Sequence, residues 1–421
     1  MQAQGGRLGT MRPALVFGAF LALIMAFGGV ARAEDGALDT TFGGDGRVTT
    51  TFMNGAYAND VAVQADGLIV AAGAAAGDDF NGVFAVARYS PDGTPDPTFS
   101  GDGTVTTAIG AGGDEAKALA IQPDGKIVAV GTNGDRFELA RYGTNGDLDD
   151  SFGPNGVVTT DPTPGWDIAY GAALQPNGKI VVAGFGTPGG PWRPRFLLAR
   201  YTTAGSLDPA FGDGGVLISR LGTARDVIVQ PDGKIVAAGY DSSGMALARY
   251  RRDGTLDPTF GGDGTVGAPR NVGAFALALQ PNGKIVAGGA FDFFAFEVVR
   301  FTAGGKLDRT FGHDGTITTD VGGSEQGVAA LAIQPNGKIV AVGHSGPHEG
   351  GEDDVWRFVL TRYRSNGVLD PVFGTGGIVR TRFKDGAAAE GAALQADGRL
   401  VAAGGQGEFT NDAFAVARYA L

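Results

Sequence analysis

The sequence predicts an all-β protein, a seven-bladed β-propeller of four-stranded antiparallel blades closed by an N-terminal strand that completes the last blade. Three observations predict it. First, Leu-Asp-x-x-Phe-Gly-x-x-Gly begins at Leu38, Leu148, Leu207, Leu256, Leu307 and Leu369, with a variant at Pro95–Ser100. Second, each copy is followed by Gln-Pro-Asp/Asn-Gly-Lys or a close form of it, and then by Ala-Arg-Tyr or a close form. The glutamines (Gln64, Gln122, Gln175, Gln230, Gln280, Gln334, Gln395) are spaced by 50 to 61 residues. Such a period marks repeated supersecondary units that bury their faces only against one another. Third, no segment holds a capped helical period, and glycine recurs too often for helices.

The second repeat shows the elements in order. Ala118–Gln122 is a run of small apolar residues, strand a. Pro123-Asp124-Gly125 follows, with proline presetting φ and glycine taking the left-handed position of a hairpin turn. Lys126–Gly131 is strand b, and after a variable loop Phe137–Tyr142 is strand c. Thr144–Gly156 forms a long connection into Val157–Thr160, strand d. These strands are apolar at nearly every position, so their sheets are covered on both faces. Four short strands in about fifty residues make a propeller blade. The chain from Glu34 opens inside a c–d connection and ends just after a strand c, so the strand near Arg47–Phe52 supplies strand d of the last blade. That closure removes open sheet edges.

Composition narrows the function. The chain has 74 Gly, 20 Pro and no Cys, which excludes disulfides, thiolate zinc sites and thiol catalysis. Three histidines leave little for metal or general-base chemistry. Residues 1–33 read as a secretory signal: Arg7 and Arg12, the apolar run Ala14–Val30, then Ala31-Arg32-Ala33 as a cleavage site. An uncleaved anchor is the alternative, because the run approaches bilayer-spanning length. Residues 34–421 form one propeller domain. The protein is expected to be exported to the periplasm or beyond, as a monomer with no membrane span once the signal is removed. The formal charge of −12 falls to −15 without the three arginines of residues 1–33. That balance disfavours nucleic acid as a partner.

The motifs Gln-Pro-Asp/Asn-Gly-Lys, Ala-Arg-Tyr and Leu-Asp-x-x-Phe-Gly resemble the delta-60 repeat family of bacterial exported proteins. The resemblance covers essentially everything after the signal. It implies a β-propeller of unknown function and carries no catalytic residues over. The Gly-His and Trp-Asp pair of WD40 repeats and the Asp box of sialidase-like propellers are absent.

Residues that recur in every repeat read as structural. An arginine ends each strand c: Arg88, Arg141, Arg200, Arg249, Arg300, Arg362 and Arg418. An aspartate stands in each following turn: Asp96, Asp149, Asp208, Asp257, Asp308, Asp370 and, for the last blade, Asp39. A guanidinium at a partly buried turn wants a carboxylate, so each arginine is expected to pin its c–d connection. Seven equivalent ligand sites are the competing reading. Phe42, Phe99 and their counterparts read as wedges. His313 reads as a solvated turn residue.

Function is expected on the other face. The a–b turns and c–d connections repeat almost unchanged, whereas the b–c and d–a loops vary, which divides scaffold from recognition. All three tryptophans fall on or beside the variable face: Trp166 in a d–a loop, Trp192 in a b–c loop, Trp356 at the start of a strand c. Their rings suit contact with a sugar or a protein, or simply fill gaps between blades. The loop His344–Asp354 offers Glu349, Glu352, Asp353 and Asp354 as a candidate site for a hard cation, Ca2+, or as a solvated acidic tip. The central channel, where strand a begins, reads as largely apolar or small, with charge only at Asp60, Lys117, Arg225 and Asp226. No catalytic constellation stands out. The expected function is a non-catalytic binding scaffold for a protein or glycan. The alternatives are a metal-assisted, lactonase-like hydrolase in the channel and a structural module of the cell envelope.

Overall fold

The computed structural model describes residues 34–52, 54–77, 81–110, 112–190, 193–268, 272–291, 294–347, 355–407 and 412–421. The expected signal segment lies outside the described residues. From Glu34 onward the chain forms one compact unit. It folds into seven four-stranded antiparallel sheets arranged as a ring, a seven-bladed β-propeller. In six of them strands a to d follow in chain order. In the seventh, Ala387–Leu394, Leu400–Gln406 and Ala413–Tyr419 are joined by Arg47–Thr51 as the outer strand. Arg47 pairs with Ala417 and Thr51 with Ala413, so the two ends of the domain share one sheet. Backbone bonds extend the seam, with Asp39 N donating to Arg418 O at 2.8 Å. The one helical turn among the described residues is Pro154–Gly156. None of the described helices is long and apolar enough to cross a membrane.

The apolar strands b and c are buried over most of their length, because each sheet is packed on both faces by its neighbours. The hydrophobic clusters accordingly span pairs of blades. One joins Ala58, Ile69 and Tyr89 to Val401, Phe414 and Val416 of the last blade. The core is thus a ring of interblade seams, each of which buries side chains that a lone blade would expose.

At the a–b turn end, the recurring motifs converge on one contact. Each strand-c arginine places Nε within 2.6–3.0 Å of its aspartate. Each guanidinium also lies over the motif phenylalanine, 4.3–4.9 Å from the ring centre. Its far end reaches the next blade: Arg88 donates to Thr144 O at 2.6 Å and Arg249 to Ala303 O at 2.6 Å. At the ring closure Arg362 instead meets the carboxylate of Asp35 at 2.7 Å. The lysine of the a–b turn adds a second cation, as where Lys284 meets Asp308 at 2.7 Å. Blade 1 has Leu68 at that place, and Asp96 pairs with Arg88 alone. His313 is exposed in its turn.

Candidate functional site: the channel mouth

The inner strands of the seven blades are Ala56–Val63, Glu115–Ile121, Asp167–Leu174, Thr223–Val229, Val272–Leu279, Gln326–Ile333 and Ala387–Leu394. Each carries a β-bulge against strand b at the same place. In blade 1, Ala58 faces Gly73 and Asp60 faces Ala72, which leaves Asn59 unpaired. A bulge leaves its extra residue out of the ladder and re-aims that side chain. A glycine opposite each bulge permits it. A Cβ at Gly73 or Gly131 would sit 1.9 Å from a strand-a carbonyl oxygen, and at Gly239 or Gly404 1.8 Å.

The bulged residues are equivalent in geometry yet all different. Blades 1 and 2 present Asn59 and Lys117, and blades 3 and 4 present Tyr170 and Arg225. Blades 5, 6 and 7 present Phe275, Ala329 and Glu390. All seven line one cavity of about 330 Å³. The ends of neighbouring strands add Glu325 and His344 to it. Because strand a starts and strand b ends here, the cavity opens on the variable-loop face.

One wall is cationic and aromatic. The Arg225 guanidinium lies 4.0 Å from the Tyr170 ring centre and 5.3 Å from that of Phe275. Its Nε is buried without a hydrogen-bond partner. Lys117 is neutralised by Glu115, which also accepts from Asn59 at 3.0 Å. The other wall is acidic: Glu390 lies 3.7 Å from His344 Nδ1, and Glu325 lines the same side. One residue further along strand a stand Asp60 and Asp226, enclosed by the ring of strands yet reachable through the channel. Asp60 accepts the N–H groups of Leu119 in the next blade (2.8 Å) and of Val61 (2.8 Å). Asp226 does the same with Leu277 (2.6 Å) and Val227 (2.7 Å). Burial pushes Asp60 up to about 7, against those two donors and with the Asp226 charge adding to the rise. Burial likewise pushes Asp226 up to about 6.

The expectation of a largely apolar channel is therefore corrected. It takes strand a from Ala118 and its counterparts onward, and the bulge turns residues one or two positions earlier toward the channel instead. Lys117, Arg225, Asp60 and Asp226 are where the sequence places them, whereas Asn59, Tyr170, Phe275 and Glu390 were missed. The recurrent strand-b glycine was the available signal, since glycine inside a strand marks a bulge or a close backbone approach. Trp166 is half exposed in its d–a loop, where its N–H donates to Thr187 Oγ1 at 2.8 Å and its carbonyl accepts from Thr187 N–H at 3.0 Å. Trp356 meets His344 edge to face at 5.2 Å and so buttresses the cavity wall. Trp192 and the proposed cation ligands Glu349, Glu352, Asp353 and Asp354 lie outside the described residues. Among the described residues no group of three or more acidic or histidine side chains is arranged to hold a metal.

Fold and site together define a repeat propeller with an individualised channel mouth. Residues 64–99, 122–152, 175–211, 230–260, 280–311 and 334–373 match the model described as "Domain of unknown function (DUF5122) beta-propeller", which supports a β-propeller repeat family. Each match runs from the a–b turn glutamine to the motif phenylalanine. The seventh such stretch, from Gln395 to Phe42, is divided between the two ends of the domain, which accounts for six matches in seven blades. No curated protein matches the sequence.

Among solved structures, virginiamycin B lyase from Staphylococcus aureus is 11% identical, with a TM-score of 0.53 and coverage of 89% of this chain and 98% of that one. A streptogramin B lyase is 10% identical at a TM-score of 0.53, covering 88% and 96%. YCF48 bound to a D1 peptide is 12% identical at a TM-score of 0.50, covering 92% and 98%. These likenesses show the fold alone. They overturn one expectation, that the protein is not an enzyme: lyases stand among the proteins sharing this fold, so the architecture gives no ground for excluding catalysis, and it assigns no reaction either.

Proposed function

We propose that the protein is a binding scaffold whose b–c and d–a loop face receives a protein or glycan partner, with an exposed group of that partner entering the channel mouth. One observation carries the reading. Seven geometrically equivalent bulge positions hold seven different residues, while the turns at the opposite end repeat almost without change. A purely structural ring has no need for seven different side chains at one equivalent position. Trp166 on the rim and Trp356 behind His344 support contact on this face, and Trp192 belongs to a loop of the same face by sequence. The motif wording supports placing the repeats with the delta-60 type, and residues 1–33 support export.

The test is a binding screen of the full-length protein against peptide and glycan arrays. Hits should weaken at least tenfold in Lys117→Ala and Glu390→Ala variants and remain unchanged in Lys306→Ala, in the c–d connection of blade 5. Hits indifferent to the mouth and sensitive to the turn face would overturn the assignment.

A further inference from the structure

Arg225 differs from every other repeat-borne arginine in the ring. All seven strand-c arginines hold a carboxylate within 3.0 Å. Arg225 has no carboxylate within ion-pair reach among the described residues, and its Nε is buried without a hydrogen-bond partner. The adjacent carboxylate of Asp226 is already engaged by two backbone N–H groups. Instead Tyr170 and Phe275 flank the guanidinium in cation–π contact, and the Tyr170 hydroxyl also hydrogen-bonds it, while Nε is left without a partner. Rings against a guanidinium leave its edge open, and here the Nε side of that edge is the part without a partner. That edge is planar and forked, the shape that matches a carboxylate bidentately.

The rest of the cavity narrows the anion. Glu390 stands three blades from Arg225 in a ring of seven, nearly across the channel, and Glu325 lines that side. A dianion such as phosphate meets two like charges there, whereas a single carboxylate with an N–H donor beside it is matched on both walls. The aromatic faces are already occupied: Tyr170 also stacks with Phe185 at 6.2 Å, and Phe275 meets the edge of Tyr240 at 6.4 Å. His344, the remaining ring of the lining, meets Trp356, so among the described residues the cavity presents no aromatic ring without such a neighbour to receive a sugar. A volume of about 330 Å³ admits a residue or two, not a folded element.

We infer that the channel mouth is a receptor for a peptide carboxylate, held by the Arg225 guanidinium with the peptide's N–H donors directed to the Glu390 wall. The inference rests on the binding reading above and names its ligand.

The experiment measures binding of four probes to the full-length protein by calorimetry: N-acetyl-trialanine with a free C-terminus, its C-terminal amide, glucuronate and inorganic phosphate. A charge-assisted fork is worth about ten- to a hundredfold in affinity. The free acid is therefore expected to bind at least tenfold tighter than the amide. It should lose at least tenfold in Arg225→Gln, with partial retention in Arg225→Lys and thermal midpoints close to wild type in both. A variant with a collapsed midpoint is replaced in the comparison by the acid-versus-amide contrast on wild-type protein, which needs no substitution. Equal binding of acid and amide, tighter binding of glucuronate or phosphate, or no effect of Arg225→Gln overturns the inference, and so does binding of none of the four. The binding reading is separable, because it survives if array hits still respond to Lys117→Ala and Glu390→Ala and falls if they do not.

Discussion

The two ends of the propeller treat charge in opposite ways. At the turn end every buried guanidinium has its carboxylate, a phenylalanine ring and, in six blades, a second cation within reach of the same carboxylate. At the channel mouth a guanidinium is left without a carboxylate, and two inward carboxylates are satisfied only by backbone N–H groups. The turn end is built alike seven times because it holds blade to blade. The mouth is individual because nothing in closing the ring dictates its residues. Ion pairing of the guanidinium therefore separates the turn end from the channel mouth in this molecule more sharply than exposure does.

The largest expected effect lies in the turn end and tests whether the second cation matters. Arg88→Ala leaves Asp96 buried with neither arginine nor lysine, at a cost of about 3–5 kcal/mol. Arg249→Ala leaves Asp257 with Lys234 at 3.1 Å and is expected to cost roughly 1 kcal/mol less. Denaturant melts of the two variants decide the point. Equal losses would mean that the lysine contributes nothing.

The next effect links the two regions through the bulge. Gly239→Ala places a Cβ 1.8 Å from the Thr223 carbonyl oxygen, so the inner strand must move. The expected loss is about 2–4 kcal/mol. It should come with altered ligand binding, since the displaced strand carries Arg225. A stable variant with an unchanged mouth would show that the bulge does not depend on this glycine.

The opposed electrostatics also predict opposed pH limbs. Burial pushes the Asp257 carboxyl up, but hydrogen bonds from Thr259 and Lys234 and the Arg249 charge outweigh it, leaving the group well below the ordinary range. That contribution is present above the ordinary value of 3.8 and is lost as pH falls toward the folded value. Asp60 is the reverse. With a folded value of about 7 against 3.8, its contribution is full in acid and is lost as pH rises from about 4 to about 7. Asp60→Asn is therefore expected to match wild type near pH 4 and to exceed it by about 1–3 kcal/mol at pH 8. Urea melts across that range check it, and a difference that does not grow with pH would remove the channel limb.

The fold was legible because its signals are local and repeated sevenfold. Turn glycines, the Pro-Asp-Gly hairpins and the Arg–Asp spacing each report a contact within one repeat or between adjacent ones. The mouth was only half legible. Lys117, Arg225, Asp60 and Asp226 announced themselves by charge, but Tyr170 and Phe275 look like ordinary strand residues in sequence. Their direction is fixed by a one-residue register shift, and register flips every side chain without altering composition. Gly73, Gly131, Gly184 and their counterparts mark that shift, yet they are easily passed over in a chain with 74 glycines.

The smallest expected effect on stability belongs to the rim. Trp166 is 50% exposed, and its own N–H and carbonyl bond to the hydroxyl and N–H of Thr187, contacts that an alanine preserves. Trp166→Ala is accordingly expected to shift stability by no more than about 0.5 kcal/mol. If the variable face recognises a partner, the same change weakens binding by at least severalfold, because an exposed indole on a rigid rim contributes contact area at little ordering cost. A variant that binds fully while Lys117→Ala and Glu390→Ala fail would confine recognition to the channel mouth. A variant that loses stability instead would place the ring among the packing residues, and Trp166 would then join the scaffold from which the mouth is distinguished.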